Sequence, residues 1–309
     1  MVRSGWKRRR LNIFIIGAAV LLGTGILAVA VLGSGNKESK GVSRVYRTAV
    51  LEAWNQGDVQ KTLELSRSGL DSNPFEPFFL SFQGIASYYL SLGKNEGDER
   101  QELLDQTVFS LRKALALNAK LSVRPQIEYV LGKAYYQKGQ PWFDLALRHL
   151  QIARQKGFMA NDLEQYLGLA NVGLLRHAEA AVHFVRAIAV NPSDVLMLLA
   201  ALSYKEMGEV EKASGFLEQA IAQAKDAVVT QRARFLSAEI ALAQGRVADA
   251  EAQYEAILSA DPRSAEAWYR IGTIYETRGD SIKARSAWRK ATSIDPNHAE
   301  ARKKLVERL

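Results

Sequence analysis

The hydrophobic and polar positions divide this chain into a short apolar segment near its N-terminus and a long amphipathic body. No charged residue occurs from Leu11 to Leu32, and these 22 residues would span roughly 33 Å as a helix, enough to cross a bilayer core. The pattern predicts a transmembrane anchor over residues 11–32 and a flexible, glycine- and serine-rich linker over residues 33–42. A signal peptide cleaved after Ala30 is the alternative, although its apolar core would exceed the usual length of about 7–15 residues.

Charge gives the predicted anchor an orientation. Residues 1–10 form a basic flank, whereas a sparser mixture of charges follows the apolar segment; the flank carries Arg3, Lys7, Arg8, Arg9 and Arg10. Because excess Lys and Arg stay on the cytoplasmic side, we expect a single-pass protein of the bacterial inner membrane with a cytoplasmic N-terminus and a periplasmic body. Ala19 and Gly23 form a small-xxx-small pair, a spacing that lets two transmembrane helices approach closely, so a homo-oligomer is one possible state.

The body of the chain shows a repeating helical pattern that is clearest near its C-terminus. A first predicted helix and its turn carry Trp268, Ile271, Gly272, Tyr275 and Gly279, and a second helix carries Ala284, Trp288 and Ala291 before Pro296. Small side chains suit the point where two helices cross, and aromatic side chains fill the space between hairpins. Equivalent positions recur upstream with growing irregularity, as far as Gly57 and Pro74.

These spacings resemble the tetratricopeptide repeat, a helix–turn–helix unit of about 34 residues. The resemblance implies an all-α fold in which about seven hairpins form an α-solenoid over residues 43–298, followed by a capping helix over residues 299–309. A polar insertion from Gly93 to Gln101 separates the helices of one hairpin. No hairpin buries its apolar face alone, so we expect the stability to come from stacking.

Composition argues against several kinds of chemistry. The absence of cysteine excludes disulfides, thiol catalysis and cysteine-bound zinc. The net charge is +8, but the basic flank supplies five of these charges and the body is nearly neutral, so we expect no nucleic-acid partner. The histidines show no metal-ligand spacing and are predicted to lie on the surface; they are His149, His177, His183 and His298. No catalytic motif is recognisable, so we expect neither enzymatic activity nor a cofactor.

The resemblance also supplies candidate partner-binding residues, because the first helix of each hairpin lines the concave face in this family. In this chain these residues are Phe78, Phe82, Tyr89, Tyr129, Lys133, Tyr136, Tyr166, Leu169, Leu198, Leu202, Phe235, Glu239 and Tyr269. Most are aromatic or aliphatic, which favours an apolar groove for an amphipathic helix or an extended apolar segment. The alternative is that they fill gaps between neighbouring hairpins. Leu202 and Glu239 stand where chaperone-binding members would carry a polar or basic clamp, so such a clamp is not expected.

The last predicted helix is basic. Residues 263–309 hold eleven Lys and Arg against six Asp and Glu, and the final helix carries Arg302, Lys303, Lys304 and Arg308. A solvated capping helix accounts for this pattern, and a site for an acidic partner is the alternative.

Two functions fit these features. The first is a membrane-anchored scaffold that recruits protein partners to an assembly of the bacterial envelope, such as secretion, motility, pilus or cell-wall machinery. The second is a receptor or co-chaperone that holds client polypeptides at the membrane. Both use residues 11–32 to bind the membrane and the repeats to bind protein.

Overall fold

The computed structural model describes residues 39–118 and 120–306, which form α-helices and no β-strand. The chain divides into two compact units between Val123 and Arg124. Unit 1 contains α1 (Ser39–Asn55), α2 (Val59–Ser72), α3 (Pro77–Leu92) and α4 (Asp98–Leu117). Unit 2 contains α5 (Arg124–Lys138), α6 (Phe143–Gln155), α7 (Leu163–Gly173), α8 (His177–Val190), α9 (Asp194–Glu206), α10 (Val210–Gln223), α11 (Ala227–Ala243), α12 (Val247–Ala260), α13 (Ala265–Thr277), α14 (Ser281–Ile294) and α15 (Ala299–Val306). The all-helical prediction is confirmed for this part of the chain.

Consecutive helices pack as hairpins within each unit. Unit 1 holds the pairs α1–α2 and α3–α4, and unit 2 holds the five pairs from α5–α6 to α13–α14, with α15 packed on α14. Odd-numbered helices of neighbouring hairpins also touch, as α5 does with α7 and α9 with α11. We call the solvent side of α5, α7, α9, α11 and α13 the odd-helix face.

Several predicted boundaries differ from the observed ones. Helix α1 begins at Ser39, inside the segment predicted as a linker, and α4 begins at Asp98, so residues 93–97 alone separate α3 from α4. The predicted basic flank, the anchor over residues 11–32 and the first part of the linker lie outside the described residues. Among the described helices, none is both long and apolar enough to cross a bilayer.

Local sequence signals fix several helix starts. The side chains of Asp58 and Asp280 accept hydrogen bonds from the backbone N–H three residues later, at 2.9 and 3.0 Å, and so cap α2 and α14. Ser193 caps α9 in the same way through the N–H of Leu196. Such caps satisfy N–H groups that the helix itself leaves without a partner, which favours a helix start at these positions.

The hairpins close around a glycine on the odd-numbered helix. A Cβ added at Gly84, Gly132 or Gly168 would lie 2.5 Å from a side-chain carbon of Leu111, Leu150 or Phe184, and one at Gly272 would lie 2.5 Å from Trp288 Cδ1. These four partners are fully buried on the even-numbered helices. The predicted crossing at Gly272 is therefore confirmed, and it recurs in three further hairpins.

In six of the seven described hairpins, the turn holds a residue with a φ between 59° and 79°. Gly279 takes a φ of 79° there, as the sequence pattern predicts, and four further turns place glycine at the equivalent position. The turn between α7 and α8 instead carries Leu175 with a φ of 59°. A side chain disfavours this backbone region, so the leucine is held there against its conformational preference.

A matched pair of glycines tests the packing. We expect Gly272→Ala to destabilise the last hairpin by about 1–3 kcal/mol, because the added methyl group collides with Trp288. Stability in a repeat array depends on neighbouring units, so hydrogen exchange should accelerate chiefly in α13, α14 and α15.

Gly215 in α10 is the control. A Cβ there meets no atom within 4 Å, so Gly215→Ala should stabilise its helix by about 0.5–1 kcal/mol. Equal effects of the two substitutions would show that the glycine of α13 has no packing role.

Candidate partner-binding site

The predicted site residues differ widely in exposure. Seven of them are buried, namely Phe78, Phe82, Tyr129, Lys133, Tyr166, Leu169 and Leu198. The other six are half-buried, namely Tyr89, Tyr136, Leu202, Phe235, Glu239 and Tyr269. A partner can reach the second group without unfolding the repeats, so the half-buried residues define the accessible part of the candidate site.

The candidates of unit 1 belong to an aromatic core between α1 and α3. Ring centroids lie 6.0 Å apart for Trp54 and Phe82, 5.7 Å for Trp54 and Tyr89, and 4.8 Å for Phe78 and Phe82. Sequence reasoning did not single out Trp54, because its role depends on α1 packing against the next hairpin. These rings stabilise unit 1 by burying aromatic surface.

In unit 2, Lys133 is the centre of a buried polar cluster. Its Nζ donates to Asp162 Oδ2 at 2.8 Å and to the Tyr129 hydroxyl at 3.0 Å. The Tyr129 hydroxyl in turn donates a short hydrogen bond to Asp162 Oδ1. Lys133 as a whole residue is only 8% exposed, so these hydrogen bonds compensate the cost of removing its ammonium group from water.

Aromatic rings surround the same ammonium group. Lys133 Nζ lies 4.9 Å from the ring centroid of Tyr129 and 4.6 Å from that of Tyr166, within the range of a cation–π interaction. Tyr136 contacts Tyr166 edge-on at a centroid distance of 5.5 Å. Burial, together with Tyr166, raises the pKa of Tyr136 to about 12, so its hydroxyl stays protonated near neutral pH. The structure thus joins four predicted residues to Asp162, which the sequence did not reveal.

A second group of predicted residues lies on α9, α11 and α13, and we call it the α9–α13 patch: Leu202, Phe235, Glu239 and Tyr269. Leu202 and Phe235 each pack one side against a buried apolar cluster, and Tyr269 does so beside Trp288. Lys205 Nζ lies 3.2 Å from Glu239 Oε2, which links α9 to α11. The patch therefore combines half-buried apolar side chains with a paired charge.

The predicted surface location is wrong for His183 and His298, which are buried, and three of the four histidines face a carboxylate. Nδ1 of His149 lies 2.7 Å from Glu128 Oε2, and Nδ1 of His183 lies 2.6 Å from Glu164 Oε2. Nε2 of His298 lies 3.1 Å from Glu266 Oε2. The partners lie 19 to 32 residues away in sequence, so helical spacing does not reveal them.

These pairs are structural links between helices. Glu128 and Glu164 lie near the starts of α5 and α7, and their histidines lie on the second helix of the same hairpin. Within the described residues, no group of three or more His, Asp or Glu side chains is arranged to hold a metal ion. One carboxylate faces His149 and one faces His183, whereas His298 lies near both Glu266 and Glu300.

Glu128 is the most deeply buried of these acids. Burial raises its pKa, but hydrogen bonds from His149 and Arg124 and the charges of those two groups outweigh burial, so that the net pKa lies below 4.5. Arg124 Nε lies 3.0 Å from Glu128 Oε1, so both carboxylate oxygens have partners. The ionised form is therefore the form that the fold favours.

The basic C-terminal helix is partly neutralised. Lys304 Nζ donates to both carboxylate oxygens of Glu276, at 2.9 and 2.8 Å, and Leu305 packs against the apolar cluster of the last hairpin. Arg302 and Lys303 are exposed, and Arg308 lies outside the described residues. The described part of this helix, α15, thus packs on the last hairpin.

Known proteins share this architecture. Residues 198–256 and 235–299 match the family model for the tetratricopeptide repeat, so the matched part of the chain, from α9 to α14, carries repeats of that family. No curated protein matches the sequence.

Solved structures extend the likeness beyond these residues. The C-terminal part of a tetratricopeptide repeat-containing protein from Cytophaga hutchinsonii is similar over 84% of this chain and 100% of that one, with a TM-score of 0.66 and 16% identity. MamA of AMB-1 covers 59% of this chain and 99% of its own, with a TM-score of 0.50 and 23% identity. PilF of Pseudomonas aeruginosa covers 75% and 97%, with a TM-score of 0.50 and 16% identity. At these identities the likeness establishes the fold alone.

The buried carboxylate makes stability depend on pH. Because the folded pKa of Glu128 is below its ordinary value of 4.5, its contribution is complete above that pH and is lost as the pH falls through the lowered folded value. We expect Glu128→Gln to lower stability by about 1–3 kcal/mol at neutral pH, and the gap to the native chain to narrow on acidification.

Thermal melts of both chains from neutral pH to about pH 3 measure this effect. Glu255→Gln, which removes an exposed carboxylate from α12, controls for the loss of one charge. If the difference in melting temperature between Glu128→Gln and the native chain stayed constant over this pH range, the lowered pKa of Glu128 would be contradicted.

Proposed function

We propose that this chain is a membrane-anchored adaptor that holds a protein partner on the odd-helix face of unit 2. The repeat fold supports a protein-binding role, since its stacked hairpins offer an extended surface to another chain. The observation that carries the proposal is the α9–α13 patch, where half-buried apolar side chains recur on successive odd-numbered helices. Such side chains gain contact area when a partner covers them.

The packing of the patch prepares it for binding. Phe235 lies 5.9 Å from Tyr254, and Tyr269 lies 5.1 Å from His298, measured between ring centroids. Each ring is thus supported on its inner side and partly open to solvent on its outer side. A ring held in place before binding loses little side-chain freedom when a partner docks.

The charges of the patch favour an amphipathic partner. Glu239 pairs with Lys205 of α9, and its charge also acts on Arg270 of α13. An amphipathic helix or extended segment would place apolar side chains on Leu202, Phe235 and Tyr269 and its polar edge along these paired charges. A purely apolar partner would remove these paired charges from water without offering them new polar contacts, which costs free energy.

The membrane part of the proposal comes from the sequence. The uncharged stretch 11–32 behind a basic flank supports a single anchor with a cytoplasmic N-terminus and periplasmic repeats. An adaptor in that position would serve an assembly of the bacterial envelope. Tethering confines the repeats close to the membrane, which raises their effective concentration towards partners in the same membrane.

Substitution of the patch tests the partner site. We expect Phe235→Ala combined with Tyr269→Ala to weaken capture of the partner from solubilised membranes by tenfold or more, since each aromatic anchor can contribute about 1–2 kcal/mol. Quantitative mass spectrometry of co-purified proteins measures the loss, and thermal melting monitors the fold.

Two controls separate binding from folding. Phe216→Ala removes a partly buried ring from α10, where it stacks on Tyr204, and should leave capture unchanged. Tyr129→Ala removes a buried ring of the lysine cluster and should lower the melting temperature. If the Phe216 variant loses the partner as fully as the patch variant does, the proposed face is wrong.

Reporter fusions test the topology. We expect alkaline phosphatase fused to Leu309 to be active in a bacterial host, because that enzyme needs export and the predicted orientation exports the repeats. A reporter active only in the cytoplasm should be inactive at the same site. The reverse result would contradict the orientation and leave the partner site to be judged separately.

A further inference from the structure

Helix α8 carries an exposed apolar stripe on the side that faces away from its hairpin. Val182 is 49% exposed and Val185 is 38% exposed, and Leu175 in the preceding turn is 77% exposed. Together with the exposed Ala178 and Ala189 they repeat at spacings of three and four residues, and we call these five residues the α8 stripe. That spacing aligns side chains along one helix face and is the pattern by which two helices pack together.

The three hairpins that follow α8 lack such a stripe. A buried alanine occupies the same position near the start of each of these even-numbered helices, and in α8 it is Ala180. Val182 and Val185 follow it by two and five residues. The same two positions are small, polar or charged in the three hairpins that follow, where they hold Gly215 and Glu218, Ala252 and Glu255, and Ser286 and Arg289. The repeat fold therefore does not require apolar residues there, and their presence on α8 needs another reason.

Leu175 gives a second, independent indication. It occupies the left-handed turn position that glycine fills in Gly57, Gly139, Gly208, Gly245 and Gly279. Its side chain is largely exposed, so burial within the fold does not offset the backbone cost of a leucine at this position. Strain that the fold itself does not compensate is typical of a residue retained for an interaction.

The charges beside the stripe indicate which occupant fits it. Glu179 and Arg186 are exposed, lie seven residues apart on α8, and form no ion pair with any part of the chain that the structure describes. If two copies of α8 pack antiparallel about a two-fold axis near Val182, Glu179 of each copy lies beside Arg186 of the other. A parallel pair would instead place these residues of the two copies on opposite flanks of the contact, so that Glu179 and Arg186 could not pair.

We propose that the α8 stripe is a self-association surface, on which a second copy of this chain packs its own α8 in an antiparallel arrangement. The contact is isologous, so the same stripe serves both copies. The α8 stripe lies on an even-numbered helix, so a second copy bound there leaves the odd-helix face free for the partner. Self-association is therefore a property separate from the proposed function. One helix per copy buries less than a standard interface of about 800 Å² per partner, so association is weak in dilute solution and is promoted by tethering to one membrane.

Single cysteines test the pairing, because the native chain has none. In isolated membranes that contain the full-length chain, we expect Val182→Cys to give a cross-linked homodimer with a short bismaleimide. Ala252→Cys, at the equivalent position of α12, should stay monomeric under the same treatment. Equal cross-linking of the two variants would overturn the proposal, and so would a Val182→Cys product that contains a different protein.

Charge reversal in the Val182→Cys chain tests the antiparallel arrangement. Glu179→Arg or Arg186→Glu alone should reduce the dimer at least threefold, and the two together should restore it, because each copy then carries the exchanged pair. Leu175→Gly should also reduce the dimer while the melting temperature stays equal or rises, since glycine suits the turn. The antiparallel arrangement would be contradicted if the single reversals left the amount of cross-linked dimer unchanged, or if the double variant gave no more dimer than the single variants.

Discussion

The close approach of two helices at a glycine is the constraint on which the rest of this structure depends. In four hairpins a glycine of the odd-numbered helix lies directly under a large side chain of the even-numbered helix, as Gly84 does under Leu111 and Gly272 under Trp288. This contact fixes the rotation of each helix about its axis. It thereby decides which side chains enter the core, which face the next hairpin and which remain available to other molecules.

The same geometry explains the polar interior of unit 2. Once a hairpin is closed, Glu128 and His149 meet across it, and Glu164 meets His183 in the next hairpin. Lys133 reaches Asp162 across the boundary between hairpins. Each charged group in these links has a partner of opposite or complementary character, so the links join helices without leaving these charges uncompensated.

The two outer faces of unit 2 have different characters. Odd-numbered helices present half-buried apolar residues among paired charges, whereas even-numbered helices are mostly polar on their outer side and α8 is apolar. A protein with these two faces can hold a partner on one face and a second copy of itself on the other. Weak contacts of this kind become effective when several act together on tethered molecules.

The sequence by itself determined the all-α fold, the hairpin register and the turn at Gly279, because these depend on residue size and spacing within about 34 positions. It also placed Tyr129, Lys133, Tyr136 and Tyr166 among thirteen candidates on the first helices of the hairpins. Only the tertiary structure decided that these four residues meet and are mostly buried, that Asp162 pairs with Lys133, that three histidines face acids, and that α8 exposes its valines. Exposure and long-range pairing depend on how each hairpin packs on its neighbour, and helical periodicity carries no information about that packing.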